Sequence, residues 1–160
     1  MEKKVILLLS HCLLNQKVRA RGLFREGVEK RVLAWLEKMA FPVFQLPCPE
    51  FLFLGEREKR TYPEYLKLKG FKDFTLTLAK EVKEFVEKIG LYPVIIGIKG
   101  SPSCSLSIVK VGEEWREGKG IFMEALLNIL EGKYVEIDYD DLGVSLKRIE
   151  RVIESLIKGD

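Results

Sequence analysis

The sequence predicts a single α/β domain of the doubly wound, Rossmann-like type, with a mostly parallel sheet of about four strands flanked by helices. Three observations lead to this prediction. The 160 residues are 47% hydrophobic and 32% charged, a balance typical of one folded domain with a sizeable core. Short aliphatic and β-branched runs, as in strands buried on both faces, alternate with amphipathic helical segments. Such alternation favours parallel strands joined by crossover helices, so residues 1–160 are expected to fold as one domain.

The first half of the chain supplies two predicted strands and one predicted helix. VILLLS at 5–10 is a continuous apolar run, and GVEKRVLAWLEKMA at 27–40 has the period of a helix. The helix face expected to be buried comprises Val28, Val32, Leu33, Trp35, Leu36 and Met39. PVFQLP at 42–47 is the second predicted strand. The charged, partly aromatic segment 51–70 follows, with Pro63 suited to the start of a helix.

The second half continues the same alternation. A second amphipathic helix is predicted over 74–90, with Asp73 as its N-cap and Gly90 closing it. The remaining segments are a third buried strand (PVIIGIKG, 93–100), a polar excursion (110–119), a third helix (GIFMEALLNILEGK, 120–133), a more exposed strand (YVEIDYD, 134–140) and a closing helix (VSLKRIERVIESLIKG, 144–159).

Charge and hydropathy exclude several function classes. The formal net charge is only +3, and the basic residues are scattered among acidic ones, so we expect no DNA binding. No apolar segment approaches the roughly 18 residues that a membrane span needs. The run Val5 to Leu9 is too short for a signal peptide and has no cleavage site after it, so a cytoplasmic protein is expected. The abundance of Lys, Arg and Glu resembles that of proteins from hot habitats.

Three cysteines stand at corresponding places in this pattern. Cys12 follows the first predicted strand, Cys48 the second and Cys104 the third. Because parallel strands end at one edge of a sheet, where α/β proteins bind ligands, we expect the three thiols to meet there. A cysteine often only fills a core, but each of these lies in a polar or proline-containing turn. Their odd number and the absence of a CxxC spacing argue against disulfides and a thioredoxin-like motif.

Three converging thiolates are the ligand set of a metal or cluster site, and two kinds remain open on the residues alone. Zinc needs a fourth ligand, or three ligands and a water. His11, the only histidine, neighbours Cys12 and would point away from it in an extended segment. An iron–sulfur cluster is also held by cysteine thiolates, and three of them would leave one iron open.

Other polar residues share the same predicted edge. Glu50, two residues after Cys48, is a candidate general acid or base. Ser101 and Ser103 precede Cys104 and are expected either to contact a substrate or to cap the turn. Further candidates to grip a carbonyl or phosphate, all in the loop after Cys12, are Asn15, Arg19 and Arg21.

The motifs SHCLLNQKVRARG, CPE and GSPSCS followed by GKGIFMEALL resemble those of the 2-thiouracil desulfidase family, formerly a domain of unknown function. The resemblance runs in the same order from about Val5 to Leu130. It implies a cluster-dependent enzyme that desulfurates a thiolated pyrimidine without redox chemistry and releases hydrosulfide. Cys12, Cys48 and Cys104 would hold a [4Fe-4S] cluster with one open iron.

The resemblance also implies roles for the polar residues near the three cysteines. At two places the sequence differs from the usual pattern of the family. Glu50 and Ser101 would be catalytic, with Ser103, Asn15 and Arg19 near a small-molecule substrate. Ser105 stands where the family more often has glycine, and the usual Pro-Arg pair after CPE is replaced. The alternatives are a zinc-dependent hydrolase at the same cysteines and a non-enzymatic nucleotide- or cluster-binding module.

Overall fold

The computed structural model describes residues 3–159. Its strands are β1 (Val5–Leu9), β2 (Val43–Gln45), β3 (Tyr92–Ile98), β4 (Ile108–Val111), β5 (Glu114–Glu117) and β6 (Lys133–Ile137). Its helices are α1 (Val28–Met39), α2 (Pro49–Leu54), α3 (Tyr62–Leu66), α4 (Phe71–Ile89), α5 (Ile121–Leu127) and α6 (Leu142–Lys158), with 3₁₀ turns at His11–Leu13, Gln16–Val18 and Tyr139–Asp141.

A four-stranded parallel sheet in the order β2-β1-β3-β6 forms the centre of the molecule. The two faces of β1 bury alternate residues in different layers, because side chains alternate along a strand. Leu7 and Leu9 pack with α1 and α6, whereas Ile6 and Leu8 pack with α4 and α5. Helices on both faces confirm the doubly wound α/β fold predicted from the sequence.

The strand order determines where a ligand can bind. From β1 the chain crosses to β2 on one side, and β3 then pairs with β1 on the other side. Such a reversal opens a crevice beyond the carboxyl ends of the strands. Cys12 and Cys104 follow the two strands that flank this reversal, β1 and β3.

Two details of the predicted helices are wrong. Leu33 is 55% exposed, although it was expected on the buried face of α1; Val28, Val32 and Trp35 are the residues of that helix that are buried. The next long helix begins at Phe71 rather than after Asp73, because Gly70 turns the chain with φ 83°. Asp73 therefore lies in the first turn, where a carboxylate still favours the helix dipole.

Two loop assignments also change. Residues 110–119 were expected to be a polar excursion, but β4 and β5 form an antiparallel hairpin there that turns at Gly112, whose φ is 64°. Helix α5 ends at Leu127, short of the predicted residue 133. The chain must pass close to β3 before β6, since a Cβ at Gly132 would lie 2.7 Å from the Pro93 carbonyl oxygen.

The segment after β2 contains two short helices. The first, α2, starts immediately after Cys48 with Pro49 in its first turn. The second, α3, starts after Thr61, which forms a capping box with Glu64, and Pro63 lies in its first turn as expected. Across residues 3–159, no helix has the length and apolar character needed to cross a membrane.

Candidate active site

One cavity of about 660 Å³ lies beyond the carboxyl ends of the central strands, and Cys12, Cys48 and Cys104 all line it. The three cysteines are free and half-buried. Glu50, Ser101, Ser103 and Arg19 line the same cavity. The chain therefore brings together residues separated by up to 92 positions, from Cys12 to Cys104.

Local structure positions each thiol differently. Cys12 lies in the 3₁₀ turn His11–Leu13, so this segment is helical rather than extended as expected, and His11 Nδ1 lies 3.0 Å from the Leu46 carbonyl oxygen. Cys48 is the residue before α2. Cys104 ends a tight turn in which its carbonyl oxygen accepts a 2.9 Å hydrogen bond from the Ile98 N–H.

Two glycines allow this last turn to pack closely. A Cβ at Gly97 in β3 would lie 2.4 Å from the Cys104 carbonyl oxygen. A Cβ at Gly120, just before α5, would lie 2.3 Å from the Ser103 carbonyl carbon and 2.6 Å from the Cys104 nitrogen. Real Cβ atoms do not approach this closely, so the position of Cys104 depends on both glycines.

Burial controls the charge of the thiols. Desolvation raises the pKa of Cys12, and the charge of Glu50 adds to this, while Tyr139 and Arg19 oppose it. Desolvation raises the pKa of Cys48 to about 12, with further increases from Glu50 and Cys12. The pKa of Cys104 is raised well above its ordinary value by burial and then by Cys48 and Cys12. Burial therefore favours the protonated form of all three thiols.

Glu50 is a buried carboxylate with three hydrogen-bond donors. Its Oε1 accepts from Arg57 Nη2 at 2.9 Å and from the Tyr65 hydroxyl at 2.9 Å, and its Oε2 accepts from Ser103 Oγ at 2.7 Å. Arg57 is itself only 6% exposed and also donates to the Val18 carbonyl oxygen at 2.7 Å. This network fixes the carboxylate at the cavity wall, because each partner is also held by other contacts.

The two serines of the third motif have different environments. Ser103 is 1% exposed and donates to Glu50. Ser101 Oγ accepts from the Cys104 N–H at 3.0 Å and from the Ser103 N–H at 3.3 Å, so it caps the turn. Because Ser101 accepts in both bonds, its hydroxyl proton remains available to donate toward the cavity.

Of the three candidate substrate-binding residues in the loop after Cys12, only one lines the cavity. Arg19 lines the cavity and stacks over the Tyr139 ring, with its guanidinium carbon 4.3 Å from the ring centroid. Asn15 does not line it; its side chain accepts from the Lys17 N–H and caps a 3₁₀ turn. Arg21 is directed elsewhere and forms exposed ion pairs with Glu56 and Glu58.

Several residues of this site are not predicted from the sequence. Arg57 and Tyr65 lie in the segment 51–70, whose sequence indicates only a charged and partly aromatic region, because the burial of Glu50 that calls for a basic partner appears only in the structure. Tyr139, immediately beyond β6, donates to Cys12 Sγ at 3.0 Å. Trp115 lines the cavity from the unpredicted hairpin and contacts Gly100, where a Cβ would lie 3.0 Å from the indole.

The mouth of the cavity is cationic. Its basic lining residues are Arg19, Arg25, Arg57, Lys59, Arg60, Lys99 and Lys110, of which Arg57 pairs with Glu50, Arg25 with Asp140 and Lys99 with Asp138. Glu50 and Glu113 are its acidic ones. Among the described residues, Arg60 Nη1 is buried without a hydrogen-bond partner. A lining of this charge attracts anionic groups.

The donor set fits a thiolate-bound cluster better than a single metal ion. Within residues 3–159, no group of three or more His, Cys, Asp or Glu side chains is arranged to hold one metal ion. A mononuclear zinc site would require such an arrangement, since Zn–S bonds are only about 2.3 Å long. Three thiols around a roomy cavity suit a larger group such as an iron–sulfur cluster, which cysteine thiolates hold. The zinc alternative is thus not favoured.

Comparisons with known proteins agree with the fold. No family model matches the chain. The uncharacterized protein MJ0003 of Methanocaldococcus jannaschii is 28% identical over 166 residues, which cover 99% of this chain and 100% of that protein. The solved structure of the [4Fe-4S]-dependent thiouracil desulfidase TudS superposes with a TM-score of 0.57 at 18% identity and covers 94% of this chain and 99% of that one. That desulfidase carries the name of the family that the motifs resemble, and the similarity shows that the two chains share a fold.

Proposed function

We propose that this protein is a cytoplasmic, cluster-dependent desulfidase that converts a thiolated pyrimidine, 2-thiouracil or a thiouridine-like compound, to its oxo form. Water supplies the oxygen, and sulfur leaves as hydrosulfide, so that a C=S group and H2O become a C=O group, HS⁻ and H⁺. No electron is gained or lost in this balance. The similarity of fold to the thiouracil desulfidase TudS supports the assignment.

One observation carries the proposal. Three free thiols from the ends of three different strands line one cavity together with a buried carboxylate. Packing alone does not require cysteine at all three strand ends, since none of them lies within an apolar strand.

Cys12, Cys48 and Cys104 would hold the [4Fe-4S] cluster through their sulfur atoms. When bound, a cluster with only three protein ligands supplies an open iron that acts as a Lewis acid toward the sulfur of the substrate. The half-buried thiols limit the access of solvent to this centre.

Glu50 would take the proton of the attacking water. The Ser103 hydroxyl lines the cavity together with this carboxylate and can pass the proton on, because Ser103 Oγ is 2.7 Å from Glu50 Oε2. Arg57 and Tyr65 hold the other carboxylate oxygen and keep it from turning away. Positioned acid–base groups of this kind contribute about 10² to 10⁴ in rate.

Ser101 and Arg19 would orient the substrate. The Ser101 hydroxyl can donate to a ring carbonyl or nitrogen, since its lone pairs already accept from the backbone. Arg19 is held by stacking on Tyr139 and by a hydrogen bond to the Leu23 carbonyl oxygen, so its guanidinium is pre-positioned at the wall. The remaining basic residues at the mouth favour substrates that carry negative charge.

The test is anaerobic reconstitution with iron and sulfide, followed by assays for hydrosulfide. Free thiouracil, thiouridine and thiouridine monophosphate are compared as substrates, and we expect the nucleotide to have the lowest KM. Cys104→Ala should abolish both cluster binding and hydrosulfide release. Ser107→Ala is the matched control, since Ser107 lies three residues away and outside the cavity lining.

Four outcomes would contradict the proposal. Colourless protein after reconstitution would show that no cluster is bound. About one equivalent of zinc without acid-labile sulfide would favour a hydrolase. A cluster with tight binding of the thiolated base but no turnover would favour a binding module. Hydrosulfide release by Cys104→Ala at the wild-type rate would exclude this cysteine from the reaction.

A further inference from the structure

A tyrosine that follows β6, the remaining strand of the parallel sheet, contacts one of the three cysteines. The three cysteines follow β1, β2 and β3, and Tyr139 lies just beyond β6. Its hydroxyl donates a 3.0 Å hydrogen bond to Cys12 Sγ. Tyr139 is not among the cavity-lining residues, so it reaches the site through the sulfur and not through the substrate.

The direction of this hydrogen bond follows from the neighbouring glutamine. Gln16 is 1% exposed, and its Oε1 accepts from the Arg25 N–H at 3.0 Å, which places its amide nitrogen on the opposite side. That nitrogen donates to the Cys12 carbonyl oxygen at 2.7 Å and to the Tyr139 hydroxyl oxygen at 2.9 Å. Because the tyrosine oxygen already accepts from Gln16, its own proton points to Cys12 Sγ.

Two arginines hold the tyrosine ring in place. Arg19 stacks over one face, with its guanidinium carbon 4.3 Å from the centroid, and Arg25 lies 5.6 Å from the centroid. Arg25 also donates to the Tyr139 carbonyl oxygen at 3.0 Å and pairs with Asp140. A hydroxyl fixed by backbone and ring contacts alike is pre-organised, so little entropy is lost when it donates.

We propose that Tyr139 is a positioning residue that tunes the cluster through its ligand Cys12. The proposal rests on the proposed function. The O–H dipole directed at Cys12 Sγ withdraws negative charge from that ligand, which favours the reduced form of the cluster and leaves the open iron more electron-poor. Tyr139 thereby supports the reaction without touching the substrate.

Tyr139→Phe is the decisive variant, because it removes one oxygen atom and keeps the ring on which Arg19 stacks. Tyr134→Phe is the matched control: Tyr134 lies in β6, five residues before Tyr139, and its hydroxyl donates to the Leu130 carbonyl oxygen instead of a cysteine. Both variants and the wild type are reconstituted anaerobically. Their midpoint potentials are measured by titration followed by electron paramagnetic resonance, and their Fe–S stretching bands by resonance Raman spectroscopy.

Tyr139→Phe should lower the midpoint potential and shift the Fe–S(Cys) bands, whereas Tyr134→Phe should leave both unchanged. We expect kcat for desulfuration to fall about 2- to 10-fold, with KM unchanged, because only one hydrogen bond to a ligand of the cluster is lost. If the midpoint potential and the Raman spectrum of Tyr139→Phe were identical to those of the wild type, the proposed role of Tyr139 would be overturned, whatever the rate of desulfuration. Failure of the wild-type protein to bind a cluster would instead overturn the proposed function, and this inference with it.

Discussion

The ion pair between Arg57 and Glu50 offers the sharpest test of how the site is held together. The side chains of the two residues are 4% and 11% exposed, and their closest atoms are 2.9 Å apart. Arg57→Met keeps much of the side-chain volume but removes the guanidinium. Glu50 would then be a buried charge with only the Tyr65 and Ser103 hydroxyls as partners.

The expected loss is large because the charge that remains is desolvated. Removing one partner of a buried ion pair costs about 3–5 kcal/mol, and the hydrogen bond from Arg57 to the Val18 carbonyl oxygen is also lost. For a chain of 160 residues, about 3 °C of Tm corresponds to each kcal/mol, so Tm should fall by about 9–15 °C. The measurement is urea unfolding at neutral pH, with calorimetry for Tm, on the cluster-free protein.

Two further variants make the interpretation specific. Arg21→Ala removes exposed ion pairs with Glu56 and Glu58 and should cost less than about 1 kcal/mol. The double variant Glu50→Gln/Arg57→Met should lose less stability than the sum of the single variants, because no uncompensated charge remains. An Arg57→Met protein no less stable than Arg21→Ala would refute the view that this buried pair organises the cavity wall.

Three other perturbations test the packing, chemistry and electrostatics of the site. Gly120→Ala should cost about 1–3 kcal/mol and reduce cluster content, since its Cβ would collide with the turn that carries the third cysteine. Gly143→Ala, whose Cβ would meet only an ordinary 3.5 Å contact, should be nearly neutral, and equal effects of the two would contradict this reasoning. Glu50→Gln should lower kcat about 10²- to 10⁴-fold while the circular dichroism spectrum is retained; a fall of less than 10-fold would remove Glu50 as the base. The pKa of Glu29 is lowered by the Gln16 N–H, so its contribution to stability is present above its ordinary pKa of 4.5 and lost as pH falls through the lower folded value. Glu29→Gln should therefore make the free energy of unfolding, measured in urea, depend less on pH in the acid range. An unchanged pH profile would contradict this contribution.

The fold was accessible from the sequence because its signals are local. The aliphatic runs that became β1 and β3 and the helical periods of α1, α4 and α6 depend only on residues close in the chain. Parallel topology then follows from general rules of connection, and with it the expectation that cysteines at three strand ends face one crevice. The exact helix ends were less accessible, because Gly70 and Gly132 act through backbone geometry and packing.

Only part of the candidate site could be predicted from the sequence, because some of its contacts join residues far apart in the chain. Cys12, Cys48, Glu50 and Cys104 could be named because each stands in a recognisable motif after a strand. No sequence pattern links Gln16 to Tyr139, 123 positions away, or indicates that a tyrosine hydroxyl reaches a cysteine sulfur. Asn15, a polar residue of the loop after Cys12 like Arg19, caps a local 3₁₀ turn instead of lining the cavity.

By itself, the sequence determined the alternation of strands and helices and the places of the three cysteines along it. The tertiary structure decided which polar groups surround those cysteines: the Arg57–Tyr65–Ser103 network on Glu50 and the Tyr139 hydroxyl on Cys12. Secondary structure arises from neighbours in the chain, whereas hydrogen-bond partners in a crevice are selected by the crossing of distant segments. Only the folded chain therefore specifies the chemistry of the cavity wall.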